Sequence, residues 1–191
     1  PKDKEDLKIL IRFARENDVT IIPRAAGTSL AGQVVGNGLV VDMSKHFTRI
    51  LEINEKQHWV RVEPGVILDE LNRELAKYGL FYGPETSTSS RGNIGRMVGN
   101  NSCGAHRLIY GSTRDHLFAV KGLLSDGSDV EFKQLCRAAF REKMTLENLE
   151  GNIYRNIREI LSDENNQFSI VQEFPDPAIK RRNTGYAIDL L

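Results

Sequence analysis

The chain has 191 residues, 40% of them hydrophobic and 27% charged, with 26 basic and 26 acidic side chains that leave no formal net charge. That balance suits a globular domain or a compact pair of lobes with a real core, and it argues against the broad basic field that nucleic acid or an anionic membrane would demand. Two cysteines, Cys103 and Cys136, make neither a disulfide framework nor a four-ligand metal site, so a reducing, cytoplasmic setting is expected, free or peripheral to a membrane. No apolar run approaches the roughly 20 residues that cross a bilayer, and nothing at the start resembles a signal peptide, so the chain is not expected to be transmembrane.

Residues 3–17 read as an amphipathic helix, with Leu7, Leu10, Ile11 and Ala14 on one face. Val19 to Ile22 reads as a short buried strand that Pro23 stops. The chain then enters Pro23-Arg24-Ala25-Ala26-Gly27-Thr28-Ser29-Leu30 and continues through Gly32 and Gln33 to Gly36-Asn37-Gly38. Small residues leave backbone N–H groups uncovered, and glycine allows the left-handed geometry that aims successive N–H groups at an anion. Arg24 adds positive charge, and the Thr28 and Ser29 hydroxyls add donors, which together suggest a pyrophosphate cradle. Taken alone, the stretch reads first as an ordinary Gly/Ser surface loop.

Gly38 to Asp42 is a second strand, and Ile50–Asn54 with His58–Glu63 reads as a hairpin. Pro64-Gly65 leads into a helix over about 66–78 that Gly79 caps. A second informative stretch runs from Gly83 to Gly104. Its hydroxyl run (Thr86-Ser87-Thr88-Ser89-Ser90) is a loop, and Gly92 to Gly99 reads as a short, closely packed helix. Each glycine there costs about 1 kcal/mol against alanine, and close approach to a ligand is the usual compensation. A glycine-rich connection without a ligand is the plainer alternative.

Tyr110-Gly111-Ser112 marks another turn. His116–Ser125 and Ser128–Phe132 read as strands joined through Asp126-Gly127, a strong hairpin signal. From Leu135 to about Glu173 the period becomes helical and charged, which suggests an insertion. Residues 179–191 return to turn chemistry around Arg181-Arg182-Asn183-Thr184-Gly185-Tyr186, where the arginine pair fits a solvated face as well as an anion site. Both ends read as internal to a longer protein. His46, His58, His106 and His116 are scattered without metal-ligand spacing, so no metal site is expected, and no catalytic base can be named.

The chain resembles the FAD-binding domain of the vanillyl-alcohol-oxidase and p-cresol-methylhydroxylase (PCMH) type, nearest the D-2-hydroxyacid dehydrogenases, a branch that takes in glycolate oxidase, D-lactate dehydrogenase and D-2-hydroxyglutarate dehydrogenase. Pro23 to Ser29 resembles the first pyrophosphate loop. Pro84-Glu85-Thr86-Ser87-Thr88, Ile94-Gly95 and Asn100-Asn101-Ser102-Cys103-Gly104 resemble the second loop and the segment facing the flavin, and Tyr110-Gly111 and Asn183-Thr184-Gly185-Tyr186 match later landmarks. The resemblance implies an α+β, two-lobed domain with a small mixed or parallel sheet, an antiparallel sheet and flanking helices. It places the FAD-binding domain at 1–133, with lobes at about 1–64 and 65–133, a helical insertion at 134–180, and a returning segment from 181.

The same resemblance implies cofactor contacts from Pro23, Arg24, Ala25, Ala26, Gly27, Thr28, Ser29, Leu30, Pro84, Thr86, Ser87, Thr88, Ile94, Gly95, Asn100, Asn101, Gly104, Tyr110 and Gly111. It implies oxidation of a 2-hydroxy acid by hydride transfer to flavin N5. Expected partners are the small-molecule substrate, a substrate-capping C-terminal domain of the same chain, and an iron–sulfur module or quinone as electron acceptor. This sequence departs from the family at Arg96, where glycine is frequent, and at Cys103. Thr28 stands where covalently flavinylated relatives carry histidine, which implies non-covalent FAD. An NADPH-dependent flavin reductase on the same fold, or a non-catalytic nucleotide-binding or electron-transfer module, stays open.

Overall fold

The computed structural model describes residues 1–29, 31–176, 178–179 and 186–191. Leu30, the Arg181-Arg182 pair and most of the Asn183-Thr184-Gly185-Tyr186 landmark lie outside the described residues. The chain divides into compact units at Pro1–Leu117 and Phe118–Leu191.

The first unit opens with α1 (Lys4–Glu16), capped by Asp3, whose carboxylate accepts from the Asp6 amide. Strands β1 (Ile21–Arg24) and β2 (Leu39–Asp42) then pair in parallel, Ile21 opposite Leu39 and Arg24 opposite Asp42. Pro23 does not end β1 as the sequence suggested. The Thr20 and Arg24 carbonyls accept from Leu39 and Met43, so the alternating backbone turns the Pro23 nitrogen away from β2, where no ladder donor is required.

Strands β3 (Ile50–Asn54) and β4 (Trp59–Val62) form the expected hairpin. Helix α2 (Leu68–Leu75) begins later than its sequence period indicated, because Ile67 is held in an isolated β-bridge to Asn93. A 3-10 turn over Ala76–Tyr78 follows, and Gly79 closes it with φ of 67°. Helices α3 (Ile94–Gly99) and α4 (Arg107–Tyr110) follow, before a 3-10 turn over Thr113–His116.

The core explains the arrangement. Val66, Leu68, Leu71, Leu75, Ile94 and Met97 are buried together, and Ile50, Ile53, Val60 and Val62 of the hairpin pack against them. Leu68 and Met97 are both fully enclosed at 0% exposure, so the starts of α2 and α3 are fixed by apolar burial worth roughly 1.5–3 kcal/mol per large side chain.

The second unit contains the antiparallel ribbon β5 (Ala119–Leu123) and β6 (Asp129–Lys133). Gly127 turns it at φ of 84°, and the Asp126 carboxylate accepts from the Ser128 amide. The first strand is shorter than expected because Thr113–His116 forms a 3-10 turn under a capping box of Ser112 and Asp115. Helices α5 (Arg137–Met144), α6 (Leu149–Ser162) and α7 (Glu164–Glu173) follow. Tyr154 packs edge-on against Phe140 with ring centroids 5.4 Å apart, and Lys143 meets the buried Glu150 carboxylate at 2.7 Å.

Candidate functional site

The first loop leaves β1 at Arg24 and is held from a distance of many residues. The Ala26 amide donates to Asn93 Oδ1 at 2.9 Å, and Asn93 Nδ2 donates to the Gly65 carbonyl at 2.6 Å. Asn93 is only 2% exposed, so its amide acts as a buried clamp between the loop and the entry to α2. Gly27 then adopts φ of +67°, with Arg24 Nε 3.3 Å from where a Cβ would stand. The guanidinium therefore lies against the loop backbone, and a side chain at 27 would be strained. The amides of Gly27, Thr28 and Ser29 have no hydrogen-bond acceptor among the described residues.

More links run from this loop to α3. Arg96 Nη2 donates to the Thr28 carbonyl at 3.1 Å, and Gln33 Nε2 donates to Asn100 Oδ1 at 3.3 Å. The Ser29 hydroxyl contacts Gln33 Oε1. Among the described residues, two buried side-chain atoms stay without partners: Thr28 Oγ1 and Arg96 Nε. Isolated buried donors are costly, by about 1–3 kcal/mol for a neutral group and more for a charged one.

The second stretch behaves differently. The amides of Ser89, Arg91 and Gly92 close turns onto the carbonyls of Thr86 and Thr88. Leu68 and Asp69 at the start of α2 donate to the carbonyls of Gly92 and Ser89. Ile94 and Gly95, both predicted cofactor contacts, direct their amides to the carbonyls of Val66 and Pro64, and the Ile94 side chain belongs to the core. Pro84 is fully buried. Thr86 and Thr88 approach each other through their hydroxyls at 3.3 Å, while the amides of Thr86, Ser87 and Thr88 have no acceptor among the described residues. Gly104 passes so close to Glu85 that a Cβ would stand 2.2 Å from its carbonyl oxygen.

The remaining predicted residues serve the frame. Asn101 takes φ of 45° and accepts from the Arg114 amide at 2.9 Å. Tyr110 packs edge-on against Phe81 at 5.3 Å, and Gly111 turns at φ of +72° beside the Asp115 carboxylate. His106 pairs with Glu85 at 2.5 Å, and His116 Nε2 meets the Tyr110 carbonyl at 2.6 Å. Both rings are exposed, as are His46 and His58.

Electrostatics follow the same division. The Ser44 hydroxyl and amide hold the Asp42 carboxyl below its usual range, with a smaller contribution from Arg24. Burial pushes the Tyr82 phenol up. Among the described residues no cluster of His, Cys, Asp and Glu could hold a metal, and no helix is long and apolar enough to cross a membrane. A groove of about 650 Å³ in the second unit is lined by Arg141, Arg155 and Arg158, but Arg155 donates to the carbonyls of Met144 and Leu146 and so ties α5 to α6.

Sequence reasoning missed Asn93 and took Arg96 only as a departure from the family. The signal for Asn93 was faint: an Asn beside the first turn of a helix reads as an ordinary cap.

A profile of the FAD binding domain family matches residues 1–133. The chain belongs to that family. It is 35% identical over 189 residues to D-2-hydroxyglutarate dehydrogenase of Pantoea ananatis, which covers 97% of this chain and 18% of that protein. It is 35% identical over 129 residues to glycolate oxidase subunit GlcD of Bacillus subtilis, covering 66% of this chain and 27% of that protein. Among solved structures, 6-hydroxy-D-nicotine oxidase of Arthrobacter nicotinovorans superposes with a TM-score of 0.61 at 23% identity, over 69% of this chain and 28% of that one. The fold is thus the α+β, PCMH-type FAD-binding architecture.

FAD is the cofactor of this family, and the residues present fit it. The Gly27–Ser29 amides, the Thr28 hydroxyl and Arg96 Nε are donors without acceptors among the described residues, gathered around one short segment. A diphosphate carries acceptors of the kind these donors lack.

Proposed function

We propose that the full-length protein is an FAD-dependent dehydrogenase of D-2-hydroxy acids, with D-2-hydroxyglutarate ahead of D-lactate and glycolate. The observation that carries this is the extent of likeness: the D-2-hydroxyglutarate dehydrogenase relative aligns with 97% of the chain, the glycolate oxidase relative with 66%. The chain spans 18% of the former's length, so substrate selection and the catalytic base are assigned to the rest of the full-length protein.

Within this chain the work is binding. In this reading Pro23, Arg24, Ala25, Ala26, Gly27, Thr28, Ser29 and Leu30 surround the diphosphate. Thr86, Ser87, Thr88, Asn100, Asn101, Gly104, Tyr110 and Gly111 form the wall toward the rest of the cofactor, with Pro84, Ile94 and Gly95 supporting it from the buried side. FAD, held non-covalently, supplies the electron-accepting ring for a two-electron oxidation of the carbinol carbon. Asn93 keeps the first loop in place, and the closed turns of 86–92 keep the second from collapsing onto it. An iron–sulfur module or a quinone takes the electrons onward, and the protein works in the cytoplasm or at a membrane face.

The test is anaerobic. Purified full-length protein should be yellow, and D-2-hydroxyglutarate should bleach its flavin absorbance while NADPH does not. Bleaching by NADPH alone would instead favour a reductase, and absence of flavin a non-catalytic module.

A further inference from the structure

We propose that Arg96, with Thr28, binds the cofactor's diphosphate directly: Arg96 Nε–H and the Thr28 hydroxyl donate to its anionic oxygens. Arg96 occupies the turn of α3 that follows Gly95, and it reaches across 68 sequence positions to the Thr28 carbonyl through Nη2. That bond alone would make it a strut between the two stretches. A strut leaves two features unexplained. Among the described residues Arg96 Nε is buried without an acceptor, and Thr28 Oγ1, on the residue that Arg96 touches, is buried without a partner.

A cation with a buried unpaired N–H is unstable in isolation, and no carboxylate among the described residues is paired with Arg96. An anionic oxygen remedies both defects at once, because it accepts several donors and balances the charge. The neighbouring amides of Gly27, Thr28 and Ser29 lack acceptors among the described residues too, and one acceptor serving them together with Arg96 would need several lone pairs. A diphosphate carries them, and a single flavin carbonyl does not. The guanidinium also supplies fixed charge from the α3 side of the loop, complementing Arg24, whose side chain lies on Gly27.

This inference rests on FAD as the cofactor but not on the identity of the substrate. The test uses deflavinated full-length protein titrated calorimetrically with FAD and with riboflavin, which shares the ring and lacks phosphate. Arg96→Met should weaken FAD binding about 10- to 100-fold, the usual range for a charge-assisted hydrogen bond, and leave riboflavin binding unchanged. Arg96→Lys should recover part of the loss, since it restores charge without the planar fork. The melting temperature of the Arg96→Met apoprotein should match or exceed the wild type, while its rise on adding FAD shrinks.

Wild-type FAD affinity in Arg96→Met, or equal losses for FAD and riboflavin, would overturn the assignment in favour of a strut. If Arg96→Met does not fold, Thr28→Val decides by the same comparison of FAD with riboflavin. A wild type that binds FAD but is bleached by no 2-hydroxy acid defeats the proposed activity and leaves the Arg96 assignment standing.

Discussion

Two glycine-rich stretches of similar composition divide their backbones differently between open and closed amides. Between Arg24 and Ser29 the chain leaves three consecutive amides without acceptors, and two nearby side-chain atoms buried and unpaired, among the described residues. The second stretch leaves the amides of residues 86–88 open as well, but from Ser89 to Gly99 most amides close onto the protein's own carbonyls, and Ile94 and Met97 sink into the core. Glycine content does not distinguish a ligand cradle from a frame. The destination of each N–H does.

The sharpest way to break this contrast is to unseat the frame. Leu68→Ala removes a fully enclosed side chain beneath the second stretch and should cost about 2–5 kcal/mol in chemical denaturation. A smaller loss would mean that the α2–α3 core is not what holds the loops. Asn93→Ala probes the joint between the two. It orphans the Ala26 amide and the Gly65 carbonyl, and should cost about 1–3 kcal/mol with a parallel drop in FAD affinity. Loss of stability with FAD affinity intact would detach the clamp from the site.

A matched pair of glycine substitutions compares the stretches directly. Gly27→Ala forces a Cβ into left-handed backbone and should destabilise by about 1–2 kcal/mol. Gly99→Ala meets open space within α3 and should stabilise by about 0.5–1 kcal/mol. Thermal melts of the two variants should therefore move in opposite directions.

The smallest effect concerns the turn beyond the frame. Burial raises the Asp115 carboxyl, but the Ser112 amide and hydroxyl outweigh it with help from His116 and Arg114, so the group ends below its ordinary range. A carboxyl lowered in the folded state stabilises fully above its unfolded value and loses that stabilisation as pH falls through the folded value. Asp115→Asn should thus cost about 1 kcal/mol near neutrality, the usual worth of such a cap, and progressively nothing in acid. Denaturation midpoints measured against pH should converge for variant and wild type.

Much of the frame was legible in the sequence because it rests on local chemistry. Asp126-Gly127 made its hairpin, Gly79 its cap, and the alternation around Glu55-Lys56-Gln57 its ribbon. β1 ran past Pro23 because the missing donor faces outward, a matter of pairing phase that one strand cannot reveal. α2 began late because Ile67 bonds to a residue far along the chain. The first loop was readable as a candidate anion site from Gly27, Thr28 and Ser29. Asn93 and Arg96 were not, since a buried amide and an unpaired guanidinium nitrogen become visible only when residues about seventy positions apart are brought together.

The most direct measurement is hydrogen–deuterium exchange of the full-length protein with and without FAD, resolved across residues 24–33 and 92–97. If the open amides of the first loop receive the diphosphate, exchange at Gly27, Thr28 and Ser29 should slow on binding, while Ile94 and Gly95, already bonded to Val66 and Pro64, should be slow in both states. Unchanged exchange at residues 27–29 in protein that has taken up FAD would contradict the account.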